Sequence, residues 1–308
     1  AVWELGTGIY REMDIILGCL DNIETRIAVN RNCWLAERPW IDAGIKELGC
    51  RINFYQPPYA PCYECGVSRE NLKLEMLQRY SCDNFKKKAQ EEGKVATVQI
   101  ASSLVAALQV QEVVKYLCGE KVEQGKQIYY QGKFHDFDIN TISEKATCYT
   151  HTLSYPEIIE IPLGSHTKLK DFLKFVSSNE FSGENATLDF AGDIMSFVKS
   201  VACRYCNNSI KIMRPNFQVD ADETICPSCK DTGATFETTD TQVESLKEII
   251  SQFNLEATSI DILEMTLSEI GIPLLHIVAV HDELVNYKYY QLSGDKEVIF
   301  PNLFRRVE

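Results

Sequence analysis

The chain has 308 residues, 45% hydrophobic and 24% charged, with a formal net charge of −13. This is an ordinary globular composition, long enough for two domains. The acidic balance excludes neither enzyme nor scaffold, but it argues against a nucleic-acid binder, which needs a basic footprint, and against an anionic membrane surface. No apolar run approaches a membrane span and no secretion signal is visible, so a cytoplasmic protein with no membrane and no nucleic-acid partner is expected. Of the 12 cysteines, six form three Cys-x-x-Cys pairs: Cys62/Cys65, Cys203/Cys206 and Cys226/Cys229. In a reducing compartment such pairs point to zinc; in a secreted protein they would read as a disulfide framework.

Near the amino end, Leu5-Gly-Thr-Gly8 resembles the start of a nucleotide loop. It lacks the third glycine, Arg11 standing there, and a strand follows rather than precedes it, so it reads as a turn. The run Asp14-Ile-Ile-Leu-Gly-Cys-Leu20 is expected to be a buried parallel strand that delivers Asp21 at its carboxyl end. Asn22 is a good N-cap for the helix that follows, and Arg26 and Asn30 fall on one face of it. Taken alone, this Asp-Asn-x-x-x-Arg reads as a capped helix with a solvated face. A second strand runs over Pro39 to Ile45, and a third starts at Gly49 and leads into Pro61-Cys62-Tyr-Glu-Cys65.

That order of motifs resembles the ThiF/MoeB/HesA family, the relatives of ubiquitin-activating enzymes. The resemblance runs from about residue 14 to 151. It implies a Rossmann-like α/β adenylation domain that uses ATP and Mg²⁺. Asp21 would hold Mg²⁺, Asn22 would position the adenylate or the substrate tail, and Arg26 would offset developing negative charge. Family members place a Gly-rich loop, a ribose-binding acid and phosphate-binding Arg and Lys residues upstream of the motif matched by Asp21, and none is visible here. With Ala rather than Met in first place, the chain is expected to be the carboxyl-terminal part of a longer protein, or a partner subunit without its own phosphate site.

Ser68 to Leu77 is a short helical candidate, and the charge-rich Arg79 to Lys94 is expected to be an exposed loop or a frayed helix. In the resembled family this is the crossover loop, where some members carry a cysteine that accepts the activated protein as a thioester. Cys82 sits beside Lys86, Lys87 and Lys88, which would raise its thiolate fraction. The alternative is an incidental surface thiol. Thr97 to Gly119 has the clearest helical spacing, stopped by Gly119, and matches the family's Gln-x-x-Glu-x-x-Lys-x-Leu-x-Gly. Gln127 to Ile139 alternates as a hairpin broken at Gly132. In ThiF-like proteins a second Cys-x-x-Cys then completes a zinc site with the first. Here Cys148-Tyr-Thr-His151 would make it Cys62, Cys65, Cys148 and His151, a structural Cys₃His site closing a loop of about eighty residues.

Beyond residue 152 the resemblance fades. Strands are expected at Glu157–Leu163, Ala186–Phe190, Ile270–Val280, Tyr287–Leu292 and Val298–Phe300, and helices at Thr167–Val176, capped by Thr167, and at Gln242–Phe253. These predict an adenylation domain over 1–152 and a small α+β domain over 153–308. By analogy that domain could be ubiquitin-like, of the kind activating enzymes use to dock a conjugating enzyme. Inside it, Cys203, Cys206, Cys226 and Cys229 have zinc-ribbon spacing at about 201–232, with a spacer of nineteen residues whose Ile210–Arg214 and Phe217–Val219 would pair as ribbon strands.

Two functions follow, and a third, bland reading, a zinc-ribbon nucleic-acid protein, stands against the charge of −13. In the first, the protein adenylates the carboxyl-terminal glycine of a ubiquitin-like or sulfur-carrier protein, with thioester transfer to Cys82 if one forms. In the second, it is a non-catalytic subunit or scaffold of such a complex. The family resemblance implies a homodimer, and two structural zinc ions are expected.

Overall fold

The computed structural model describes residues 2–68, 99–181, 185–190, 196–203, 206, 208–219, 247–284 and 286–301. Cys82, Cys226 and Cys229 lie outside them, as do the helical candidate of 68–77 beyond Ser68 and residues 242–246. Two compact units are present, one over 9–155 and one over 156–308 joined by 3–8. No helix among the described residues is long and apolar enough to cross a membrane.

The first unit is built on a five-stranded sheet in the order β1-β2-β3-β4-β5: Ile16–Gly18, Trp40–Lys46, Gly49–Tyr55, Lys126–Gln131 and Asp136–Thr141. Only β1 and β2 run parallel; β2 to β5 form an antiparallel meander. The expected parallel strand is therefore a three-residue edge, and Leu17 at its middle is 41% exposed.

Strands β2 and β3 are covered on both faces, and their period-2 alternation shows how. Ile41, Ala43, Cys50, Ile52 and Phe54 pack with Val105 of a long helix, Gln99–Leu117. Trp40 and Tyr55 point the other way, toward Ile27, Val29 and Cys33 of the helix Ile23–Ala36. These two helices are termed α4 and α2; α1 and α3 are the short turns Thr7–Arg11 and Tyr63–Gly66. Gly119, at φ +74°, ends the long-helix segment as expected, while Gln109 reaches down to the carbonyls of Gly18 and Ile41. That bond anchors the end of β1, the strand that delivers Asp21.

The second unit packs α5, Leu169–Glu180, on a five-stranded sheet. Its strands are β6 Ile158–Ile161, β7 Thr187–Asp189, β11 Gln252–Phe253, β12 Ile277–His281 and β13 Tyr287–Leu292, in the order β11-β7-β12-β13-β6. A separate three-stranded sheet holds β8 Phe197–Ala202, β9 Ser209–Pro215 and β10 Lys247–Ile250.

Several expectations fail here. Residues 247–250 and 252–253 are strands rather than helix, since Ile249 and Ile250 pair with Val198 and Phe197; β-branched side chains suit that ladder. Strand β12 starts only at Ile277, because Pro273 donates no hydrogen bond and Gly271 and Leu275 sit at positive φ. Lys296–Ile299 is a short helix, not the start of a strand. Lys168, not Thr167, is the N-cap of α5, and the Met265 carbonyl takes the Leu169 N–H in place of a side-chain cap. The stretch Leu5–Gly8 is no free turn. Leu5 bridges Leu274, and a Cβ at Gly6 or Gly8 would stand 2.2 Å from the carbonyl oxygen of Leu274 or Leu275. Close backbone approach, not phosphate binding, accounts for both glycines.

Candidate active site and metal centre

Asn22 caps α2 as expected. Its Oδ1 accepts from Thr25 N at 2.8 Å, and its Nδ2 donates to Asp21 Oδ1 at 2.9 Å. Both residues are exposed at the carboxyl end of β1, so the Asp21 carboxylate is oriented by its neighbour and open to a ligand. Arg26 is placed differently from its expected role. It is 8% exposed and buried against the sheet, with Nε 2.7 Å from Asp42 Oδ1 and Nη2 donating to the carbonyls of Ala43, at 3.0 Å, and Leu20. Through the Leu20 carbonyl it fixes the residue before Asp21.

Asp42 was not singled out from the sequence. It is fully buried, and its second oxygen lies 3.4 Å from Arg51 Nη2. Burial pushes its carboxyl up, against the pull of the two guanidiniums. Arg51 also donates to Asn53 Oδ1 at 3.1 Å. A cleft of about 260 Å³ opens on this side of the sheet, beside Ile23, with Arg51, Asn53, Tyr55, Tyr63 and Gln127 on its walls. The signal for these residues lay in β3 itself. Cys50, Ile52 and Phe54 alternate with Arg51, Asn53 and Tyr55, so one face of that strand is polar although the strand is central.

The metal centre assembles from two turns. Cys62 is the N-cap of the short helix α3 and Cys65 lies within it, and Cys148 is the N-cap of a 3₁₀ turn, Tyr149–Thr152, that contains His151. Their four ligand atoms lie within 4.8 Å of one another. Cys62 Sγ is 3.9 Å from Cys65 Sγ and 3.5 Å from Cys148 Sγ, and Cys65 Sγ is 3.6 Å from His151 Nε2. A tetrahedral Zn²⁺ with Zn–S bonds of about 2.3 Å would set its sulfurs about 3.8 Å apart, so the donor set fits. Burial, then the neighbouring thiols, push the Cys62 thiol up to about 12, with the Asn30 side chain working against them. Thiols so crowded ionise together only around a cation. The His151 ring stacks on Trp34 at 4.6 Å, and its far nitrogen, Nδ1, faces Glu144 at 3.6 Å, which orients Nε2 inward.

Helix α2 ties the two turns together. Asn30 accepts from Tyr63 N at 3.0 Å and donates to Thr150 Oγ1 at 3.1 Å. Thr150 donates to Glu64 at 2.7 Å, and Arg31 grips the same carboxylate at 2.7 and 3.3 Å. The motif's arginine thus serves the sheet and its asparagine serves the metal centre.

Cys203 and Cys206 stand in the connection between β8 and β9, closed by Cys203 N donating to the Asn208 carbonyl at 2.8 Å. The expected ribbon strands do not pair with each other. Strand β9 pairs with β8, and Phe217 falls in the 3₁₀ turn Asn216–Gln218, because Pro215 ends the ladder.

The mixed sheet has a ThiF-type α/β fold, and the ThiF family model matches residues 4–153. Among curated proteins, the ubiquitin-like modifier-activating enzyme 5 of Culex quinquefasciatus is 30% identical over 110 residues, covering 34% of this chain and 25% of that protein. The Branchiostoma floridae enzyme of the same name is 28% identical, covering 40% and 28%. The chain thus spans about a quarter of the length of the relatives it matches. Among solved structures, E. coli MccB with ATP is 22% identical with a TM-score of 0.35, covering 45% of this chain and 39% of that one.

Proposed function

We propose that this protein takes part in the ATP-dependent adenylation of the carboxyl-terminal glycine of a ubiquitin-like or sulfur-carrier protein. The observation that carries the reading is the exposed Asp21–Asn22 pair at the carboxyl end of β1, in a ThiF-family domain. Asp21 would hold Mg²⁺ between the phosphates, Asn22 would hold Asp21 and face the adenylate, and Arg26 would place both through the Leu20 carbonyl. Cys82 would take the acyl group if a thioester forms. Cys62, Cys65, Cys148 and His151 would hold a structural Zn²⁺, and Cys203, Cys206, Cys226 and Cys229 a second one, in a reducing, cytoplasmic setting.

A homodimer is supported by α4, whose exposed Ile100, Val110, Val114 and Leu117 lie on a face without a charged residue; such a helix face is ordinarily covered. The second unit, with its α+β build, would be the part that receives a conjugating enzyme. Carrier-dependent exchange of pyrophosphate into ATP tests the reading. Exchange is expected from the wild type and not from Asp21→Ala; equal exchange by both would remove Asp21 from the Mg²⁺ role.

The second reading, a non-catalytic subunit of the same fold, is favoured by one observation: Gly6 and Gly8 are packed against backbone rather than open to a phosphate. No exchange by the wild type, with the carrier still bound, would select it.

A further inference from the structure

We propose that the cleft beside Ile23 is an oxyanion pocket and that Arg51 is the residue that reads the anion, either the terminal carboxylate of an extended peptide tail or the phosphate of a nucleotide. The adenylation reading names these two sources; the pocket's preference for an anion rests on its own chemistry.

Charge comes first. Two guanidiniums, Arg26 and Arg51, share one carboxylate, Asp42. The division is unequal: Arg26 Nε lies 2.7 Å from Asp42, and Arg51 Nη2 lies 3.4 Å away. Arg26 is the buried partner, whereas the Arg51 side chain keeps 29% of its surface exposed. Among the described residues, no Asp or Glu lines the cleft. The positive charge left over therefore sits on Arg51, at the cleft wall.

Register explains why. Asp42 pairs with Asn53, Gly44 with Arg51, and Asn53 with Gln127, so these side chains share one face of the sheet. A side chain at position 44 would stand 2.9 Å from Arg51 Nε, so Gly44 leaves room for the guanidinium to lie across the strand. Asn53 accepts from Arg51, which turns its own amide donor elsewhere, and Gln127 adds a second amide. Burial holds the phenols of Tyr55 and Tyr63 above their ordinary values, so at neutral pH both are neutral and able to donate. One guanidinium, two amides and two phenols around about 260 Å³ match a carboxylate or phosphate oxygen pair, which guanidinium binds through two parallel bonds.

The test is calorimetric titration of the whole chain with AMP and with a pentapeptide ending in Gly-Gly, as free acid and as amide. At least one of AMP and the free acid should bind, and the amide about tenfold more weakly than the acid if the tail is the source. Arg51→Gln should weaken the bound anion about tenfold, and Arg51→Lys should restore part of the loss. Loss confined to AMP assigns the nucleotide phosphate; loss confined to the free acid assigns the tail. Gln127→Glu, which places a carboxylate on the wall without touching the Asp42 pair, should abolish binding, and it serves if Arg51→Gln does not fold. No binding of either anion by the wild type, or equal affinities in wild type and Gln127→Glu, would overturn the proposal. Failure of pyrophosphate exchange with anion binding intact would instead remove the adenylation reading and leave the pocket.

Discussion

Position 30 buries a carboxamide at 1% exposure and uses both of its ends, one on the Tyr63 N–H and one on the Thr150 hydroxyl. Asn30→Ala takes the acceptor from the Tyr63 N–H, at about 1–3 kcal/mol for a buried donor, and strips Thr150 Oγ1 of one bond while it keeps the one to Glu64. The expected result is a loss of about 2–4 kcal/mol in a denaturant titration; a change below about 0.5 kcal/mol would mean that the two turns hold without α2. Asn30 shows how far residue roles were legible. The sequence spacing placed Asp21, Asn22, Arg26 and Asn30 on one segment, but spacing along a helix does not say what each side chain meets. Asn22 is the cap that its type predicts. The partners of Arg26 and Asn30 lie sixteen and 120 residues away, and no local rule points to them.

At the scale of elements, the strands and helices with strong periodicity stand where the pattern put them: β2, β3, the β4–β5 hairpin, α4 and α5. The pattern failed where a tertiary partner decided. Residues 247–253 carry apolar spacing that fits a helix, and pairing of 247–250 with β8 and of 252–253 with β7 makes those stretches strand. The packing of 3–8 has a measurable side. Thr7 N donates to His276 Nδ1 at 3.3 Å, and burial pulls His276 down to about 4. The unfolded value is about 6.5, so the unfolded chain binds the proton more readily between these values. Stability from a neutral His276 is then full above pH 6.5 and falls as pH drops toward 4, by on the order of 3 kcal/mol. Comparing pH-dependent unfolding of wild type and His276→Gln isolates this slope. Identical slopes in that window would show that His276 is free to charge in the folded state.

The whole molecule is organised by contacts far apart in sequence. Cys62 and Cys65 meet Cys148 and His151 across about eighty residues, so metal there constrains a long loop of the first unit. Two zinc ions per chain are expected by elemental analysis. Cys148→Ser and Cys226→Ser should each keep one; a wild type with a single ion that Cys148→Ser still keeps would leave the ribbon as the sole site. The Cys₃His set was legible through the family resemblance, which joins the Cys-x-x-Cys turn to a later turn that here reads Cys-x-x-His. The Arg51 cleft was not, because it arises from register among β2, β3 and β4, which a single sequence does not display.

The central claim is that Asp21 serves a nucleotide. Calorimetric titration of Mg·ATP into the wild type and into Asp21→Ala tests it most directly. Saturable binding by the wild type, weakened at least about tenfold in the variant, is the result expected. Binding of equal strength in both, or none in the wild type, would contradict it.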